Sequence, residues 1–187
     1  MKKTILNTLF FLAIISVVTS CKKDKDDPEN PPPTGNEQEI ITTLKLIFKD
    51  SANLADVRSA TFRDPDGDGG LGPNIFDTIK LDANKTWLTE IVLLNETVNP
   101  VDSISNEVLE EANDHLFCYT ATVNIVEIVV TDKDGNSLPI GIQSKWTTKA
   151  VGQGTVQAVL KHQPGTKNGQ CNIGETDIDV TFQMQVQ

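Results

Sequence analysis

Near the end of the chain Ile178, Val180, Phe182, Met184 and Val186 fall on one side, and Asp177, Asp179, Thr181, Gln183, Gln185 and Gln187 on the other. A helix would scatter these apolar side chains around its axis, whereas a strand puts them all on one face. The same two-residue period runs through Ile40, Thr42, Leu44, Leu46 and Phe48, against Ile41, Thr43, Lys45, Ile47 and Lys49. Further strands are expected near 56–63, 75–81, 86–95, 116–121, 124–131, 139–148 and 154–162. Asp82-Ala83-Asn84-Lys85, Asp132-Lys133-Asp134-Gly135-Asn136 and Gly152-Gln153-Gly154 have the composition of hairpin turns between them. Short strands with turn signals predict an all-β fold, an antiparallel β-sandwich, with an eight-stranded β-barrel as the alternative.

Leu81 and Trp87, six apart across a turn, resemble the leucine and corner-tyrosine spacing of fibronectin type III and related immunoglobulin-like domains. This resemblance implies a sandwich rather than a barrel. One segment reads as helix. Ser105 is placed to cap a helix starting at Asn106, with Glu107, Glu110 and Glu111 near its positive end and Leu109, Ala112 and Leu116 as its apolar stripe. On such a helix Glu111 and His115 lie one turn apart on one face.

The other end of the chain is different in kind. Met1-Lys2-Lys3 precedes an apolar run from Ile5 to Val18, the pattern of a secretory signal and too short for a membrane span. The run closes on Val18-Thr19-Ser20-Cys21, which resembles the lipobox of bacterial lipoproteins. The resemblance implies a signal peptide over 1–20 and an acylated Cys21 as the mature N-terminus. Several acyl chains, at roughly 0.8 kcal/mol per buried methylene, would hold the protein on a bilayer. Residues 22–36 carry three Lys, three Asp, one Glu and four Pro. They cannot bury enough surface to offset their ordering entropy and read as a tether reaching about 45 Å in a polyproline conformation. Asp24, Asp26 and Asp27, so close to the lipid, resemble the export signal of Bacteroidetes-type surface lipoproteins.

The remaining segment, 37–187, is long enough for one β domain with a real core. The whole chain has 16 Lys plus Arg against 26 Asp plus Glu, and losing Lys2 and Lys3 with the leader carries its net charge from -10 to about -12. Nucleic acid is excluded as an expected partner, because phosphate binding rests on basic clusters absent here.

Two constellations carry candidate chemistry. The chain has two histidines, and His162 ends a strand whose inner face reads Val156, Ala158, Leu160. Glu111, His115 and His162 together offer the imidazole and carboxylate donors that zinc, copper or iron accept. They meet only if the chain turns back near Thr122 to Asn124, which brings both histidines to one end of the domain along with Cys118 and Cys171. In an oxidising compartment those two cysteines are candidates for a disulfide. Asp64, Asp66 and Asp68, with Gly69 at the sixth position, match the opening of an EF-hand loop and make calcium a candidate ligand. The closing Glu of that motif is replaced by Ile75.

Taken together, the acidic tether, "FRDPDGDGG", "LLNE", "LEEANDHLF" and "GETDIDVTF" resemble a group of small Bacteroidetes-type outer-membrane lipoproteins, some of which carry the label "type 1 periplasmic binding fold". That label requires strands and helices alternating around a parallel sheet, which this sequence does not show. The resemblance implies an outer-membrane, lipid-anchored protein at the cell surface, working beside outer-membrane uptake machinery. No Gly-x-Ser-x-Gly, His-Glu-x-x-His or phosphate-cradling glycine loop is present, so an enzyme is not expected. The expected function is a binding protein that captures a small ligand or a metal ion or docks on an uptake partner. The alternative is a calcium-stabilised adhesion or spacer module without a pocket, its helix end filled by Leu109, Leu116 and Phe117.

Overall fold

A computed structural model describes residues 39–67, 70–122 and 124–187. The signal segment, Cys21 and the tether lie outside the described residues, as does Asp68. Ten strands and one helix follow in the order β1 (Thr43–Asp50), β2 (Asn53–Arg63), β3 (Ile75–Phe76), β4 (Ile79–Leu81), β5 (Thr86–Leu94), α1 (Ile104–Glu110), β6 (His115–Ala121), β7 (Val126–Val130), β8 (Gln143–Thr148), β9 (Gly152–His162) and β10 (Glu175–Val186).

They form two sheets facing one another. One has the order β3-β2-β1-β5-β8-β7, the other β4-β10-β9-β6, and neither closes on itself. The fold is an all-β sandwich, not the eight-stranded barrel. The two faces that alternation marks as apolar are the ones that meet: Leu44, Leu46 and Phe48 from β1 and Val180, Phe182 and Met184 from β10 are all essentially unexposed. Trp146 packs edge-on against Phe48 with ring centroids 5.2 Å apart. Each such side chain contributes roughly 1.5–3 kcal/mol by leaving water.

Four local readings are corrected by the structure. The strand expected over 75–81 is two strands in different sheets. Asp77 still pairs with β2, its N–H donating to the Thr61 carbonyl and its carboxylate accepting the Thr61 N–H. After Thr78 the chain crosses to run parallel to β10, so the sandwich contains one parallel pair. The helix starts at Ile104, capped by Ser103 without a side-chain bond. Ser105 instead accepts the Leu93 N–H at 2.6 Å, which docks the helix on β5. The buried stripe is therefore Ile104 and Val108, while Leu109 is exposed and Leu116 belongs to β6. Trp87 and Leu81 are both fully buried, but the Trp87 indole N–H makes no corner hydrogen bond; Arg58 lies over its ring, 4.9 Å from the centroid.

Among the described residues no helix is long and apolar enough to cross a membrane. Cys118 and Cys171 are joined by a disulfide. Cys118 shares the outward face of β6 with Leu116, which is nonetheless buried, and the bridge fastens the β9–β10 connection to that strand.

Candidate metal centre

His115 opens β6 and His162 closes β9, and the antiparallel register sets the two directly opposite. The inward faces of those strands continue as Phe117 against Leu160 and Tyr119 against Ala158. Both histidines therefore extend the core side of the sheet to its end. The chain does reverse after β6, with the Ile125 N–H donating to the Thr122 carbonyl and Asn124 at φ 67. It does not return beside β6, however: β7 joins the facing sheet.

Glu111 reaches the histidines from a different element than the sequence implies. Helix α1 has ended at Glu110, and Glu111 begins the turn leading into β6. One donor atom from each of Glu111, His115 and His162 lies within 4.8 Å of the others. Glu111 is exposed, whereas His115 is 0% and His162 8% exposed. The imidazoles stack, with centroids 4.5 Å apart. His115 Nδ1 lies 3.3 Å from the Glu111 carbonyl oxygen, which can only accept, so Nδ1 carries the ring proton. His115 Nε2 and His162 Nδ1 are buried and make no hydrogen bond. Burial, and then the charge His162 can carry, push the His115 imidazole down to about 4, so it is neutral at pH 7.

Asp177 is the residue the sequence misplaces. Strict alternation sends it outward with Asp179, but a β-bulge between Thr176 and Ile178 interrupts the pairing of β10 with β9. Its side chain is 0% exposed, with Oδ2 3.8 Å from His115 Nε2. Burial raises its carboxyl to about 6; the His162 ring and the Glu39 backbone N–H oppose that rise, yet neither oxygen makes a well-formed hydrogen bond. Gly174 at φ 80 lets the chain pass close against the His162 backbone just before the bulge, because a Cβ there would collide with the His162 carbonyl oxygen. Nothing in the local sequence marks the bulge; "ETDIDV" alternates without a break.

The acidic loop behaves differently. Asp64 is buried, and Asp66 Oδ2 accepts the Leu71 N–H at 2.7 Å. That hydrogen bond holds the Asp66 carboxyl below the usual carboxylate range. A cavity of about 360 Å³, lined by Glu39, Asp64, Asp177 and Asp179, lies between this loop and the bulge.

No protein-family model, curated protein or solved structure matches this chain.

Proposed function

We propose that the chain is a lipid-anchored envelope protein that captures a divalent transition-metal ion through Glu111, His115 and His162. The observation that carries this reading is the meeting of Glu111, His115 and His162, with donor atoms within 4.8 Å of one another and two buried imidazole nitrogens, His115 Nε2 and His162 Nδ1, left without hydrogen bonds. A buried polar atom without a partner loses its hydration with no return, and such atoms are scarce in folded proteins. Neutral imidazole is also the form that coordinates. A tetrahedral ion with bonds of about 2.0–2.1 Å would draw the donors to about 3.4 Å apart. Imidazole with carboxylate suits zinc, copper, nickel or iron.

One further feature supports a binder over a filled spacer. Leu109 is exposed and Leu116 faces away from the main core, so the three residues expected to plug this end do not do so together. The disulfide fits an oxidising compartment. The anchor rests on Val18-Thr19-Ser20-Cys21 alone, and docking on uptake machinery rests on the lipoprotein resemblance.

The deciding experiment is calorimetric titration of the purified full chain with Zn²⁺, Cu²⁺ and Ni²⁺, beside His162→Ala. One ion per chain is expected for the wild type and at least about 100-fold weaker binding for the variant. Equal affinity in the two proteins, or no binding to either, rejects the metal reading.

A further inference from the structure

His115 and Asp177 face one another as two acceptors with no donor between them. Because His115 Nδ1 holds the ring proton against the Glu111 carbonyl, Nε2 presents a lone pair, and Asp177 Oδ2 lies 3.8 Å from it. Both side chains are 0% exposed. No hydrogen bond reaches His115 Nε2 or either Asp177 oxygen among the described residues. His115 Nε2 has lost water without gaining a partner, Asp177 faces only the Glu39 backbone N–H without a well-formed hydrogen bond, and the two lone-pair atoms repel. Positive charge between them removes both penalties. A proton cannot bond both atoms across this distance, since hydrogen bonds between nitrogen and oxygen close at about 2.7–3.2 Å. A metal ion bonded to each at about 2.0–2.1 Å spans the gap with an angle of about 135°.

We propose that Asp177 is the fourth ligand of the centre, so that a divalent transition-metal ion is held by His115, His162, Asp177 and Glu111. The proposal rests on the metal reading above and adds to it. Two carboxylates offset the charge of a dication, and the two imidazoles favour a transition metal over the all-oxygen preference of calcium and magnesium. The ligands divide by position. His115, His162 and Asp177 stand on the neighbouring strands β6, β9 and β10 and are buried, whereas Glu111 comes from the turn after α1 and is exposed. Glu111 is therefore the ligand that closes over the ion and opens to release it. Asp177 also lines the acidic cavity, whose Glu39, Asp64 and Asp179 raise the local concentration of cations at its mouth.

The test uses the full chain and two probes, Zn²⁺ in competition with a coloured chelator and Co²⁺ by visible absorption. Wild type, Asp177→Asn, Asp177→Leu, Glu111→Gln and His162→Ala are compared, each checked for fold by circular dichroism. Wild type should take one Co²⁺ with the intense bands of a four-coordinate ion. Asp177→Asn should weaken Zn²⁺ binding at least about 10- to 100-fold, the scale of losing even an outer partner of a ligand. Asp177→Leu should lose binding while its metal-free form melts no lower than wild type, because a buried carboxylate without a well-formed hydrogen bond is removed. Glu111→Gln should speed Zn²⁺ release more than it changes the Co²⁺ spectrum.

Unchanged affinity and spectrum in Asp177→Asn, with binding lost in His162→Ala, would overturn the role of Asp177 and leave the metal reading intact. A lower melting point with intact affinity in Asp177→Leu would assign Asp177 a structural role and overturn the proposal too. No binding by wild type overturns both. If the Asp177 variants do not fold, the wild type decides: its Asp177 carboxylate carbon signal must move on adding Zn²⁺, and a fixed signal overturns the assignment.

Discussion

His115 and His162 lie face to face across neighbouring strands, their rings 4.5 Å apart between centroids and 7° from parallel. An imidazole binds a metal in its own plane, and one ion cannot lie in two parallel planes, so loading must turn at least one ring. In the metal-free protein, nitrogen shifts from nuclear magnetic resonance should show His115 as the Nδ1–H tautomer, as the Glu111 carbonyl contact requires. Adding Zn²⁺ should abolish the mutual ring-current shifts of the pair. An Nε2–H tautomer in the metal-free protein would contradict the geometry.

The Cys118–Cys171 bridge spans a sequence separation of 53. A closed loop of that length restrains the unfolded chain by about 4 kcal/mol in the chain-entropy model. Replacing both cysteines by serine should therefore lower the stability measured in urea by about 2–4 kcal/mol. The same connection is also held by Gln163 Nε2, which donates to the Gln170 and Ile173 carbonyls, and by Lys167 Nζ, which donates to the Ala112 carbonyl. A loss below about 1 kcal/mol would mean that these bonds hold the connection without the bridge.

Glu107 on α1 should make stability fall as pH rises. Burial, followed by the neighbouring Glu39 and Asp102, raises its carboxyl to about 7 from 4.5, and Glu39 is raised as well, by burial first. Between those two values the folded state holds a proton that the unfolded state has released. The stabilisation is complete below 4.5 and lost as pH passes 7. Glu107→Gln should raise the melting temperature at pH 8 and leave it unchanged at pH 4. An equal shift at both pH values would show that the carboxyl pair shares no proton.

Calcium should brace the loop at Asp64 and Asp66. A cation at 100 times its dissociation constant adds about 2.7 kcal/mol to folding stability. Asp66→Ala should erase that gain and also release the Leu71 N–H. A melting temperature indifferent to millimolar calcium and to chelator leaves the loop as a turn closed by its own hydrogen bonds, that of Asp66 with Leu71 among them.

Local alternation was enough to place the long strands and their buried faces. Alternation in β1 and β10 is a local record of which side meets the core, because neighbouring side chains in a strand must point to opposite faces. The same rule placed His162 inward beyond Leu160. What the sequence could not determine were the points where the chain leaves its local pattern to satisfy a distant partner. The break at Asp77 and Thr78 exists because β3 and β4 serve different sheets. The helix begins two residues early because Ser105 accepts a hydrogen bond from Leu93 on another element. Asp177 turns inward because the register of β10 against β9 slips by one residue, and a slip between strands leaves no trace in the spacing of either one. The histidines were legible as residues and as directions. That they stand directly opposite, with Asp177 buried beside them, was decided only when β6, β9 and β10 came together.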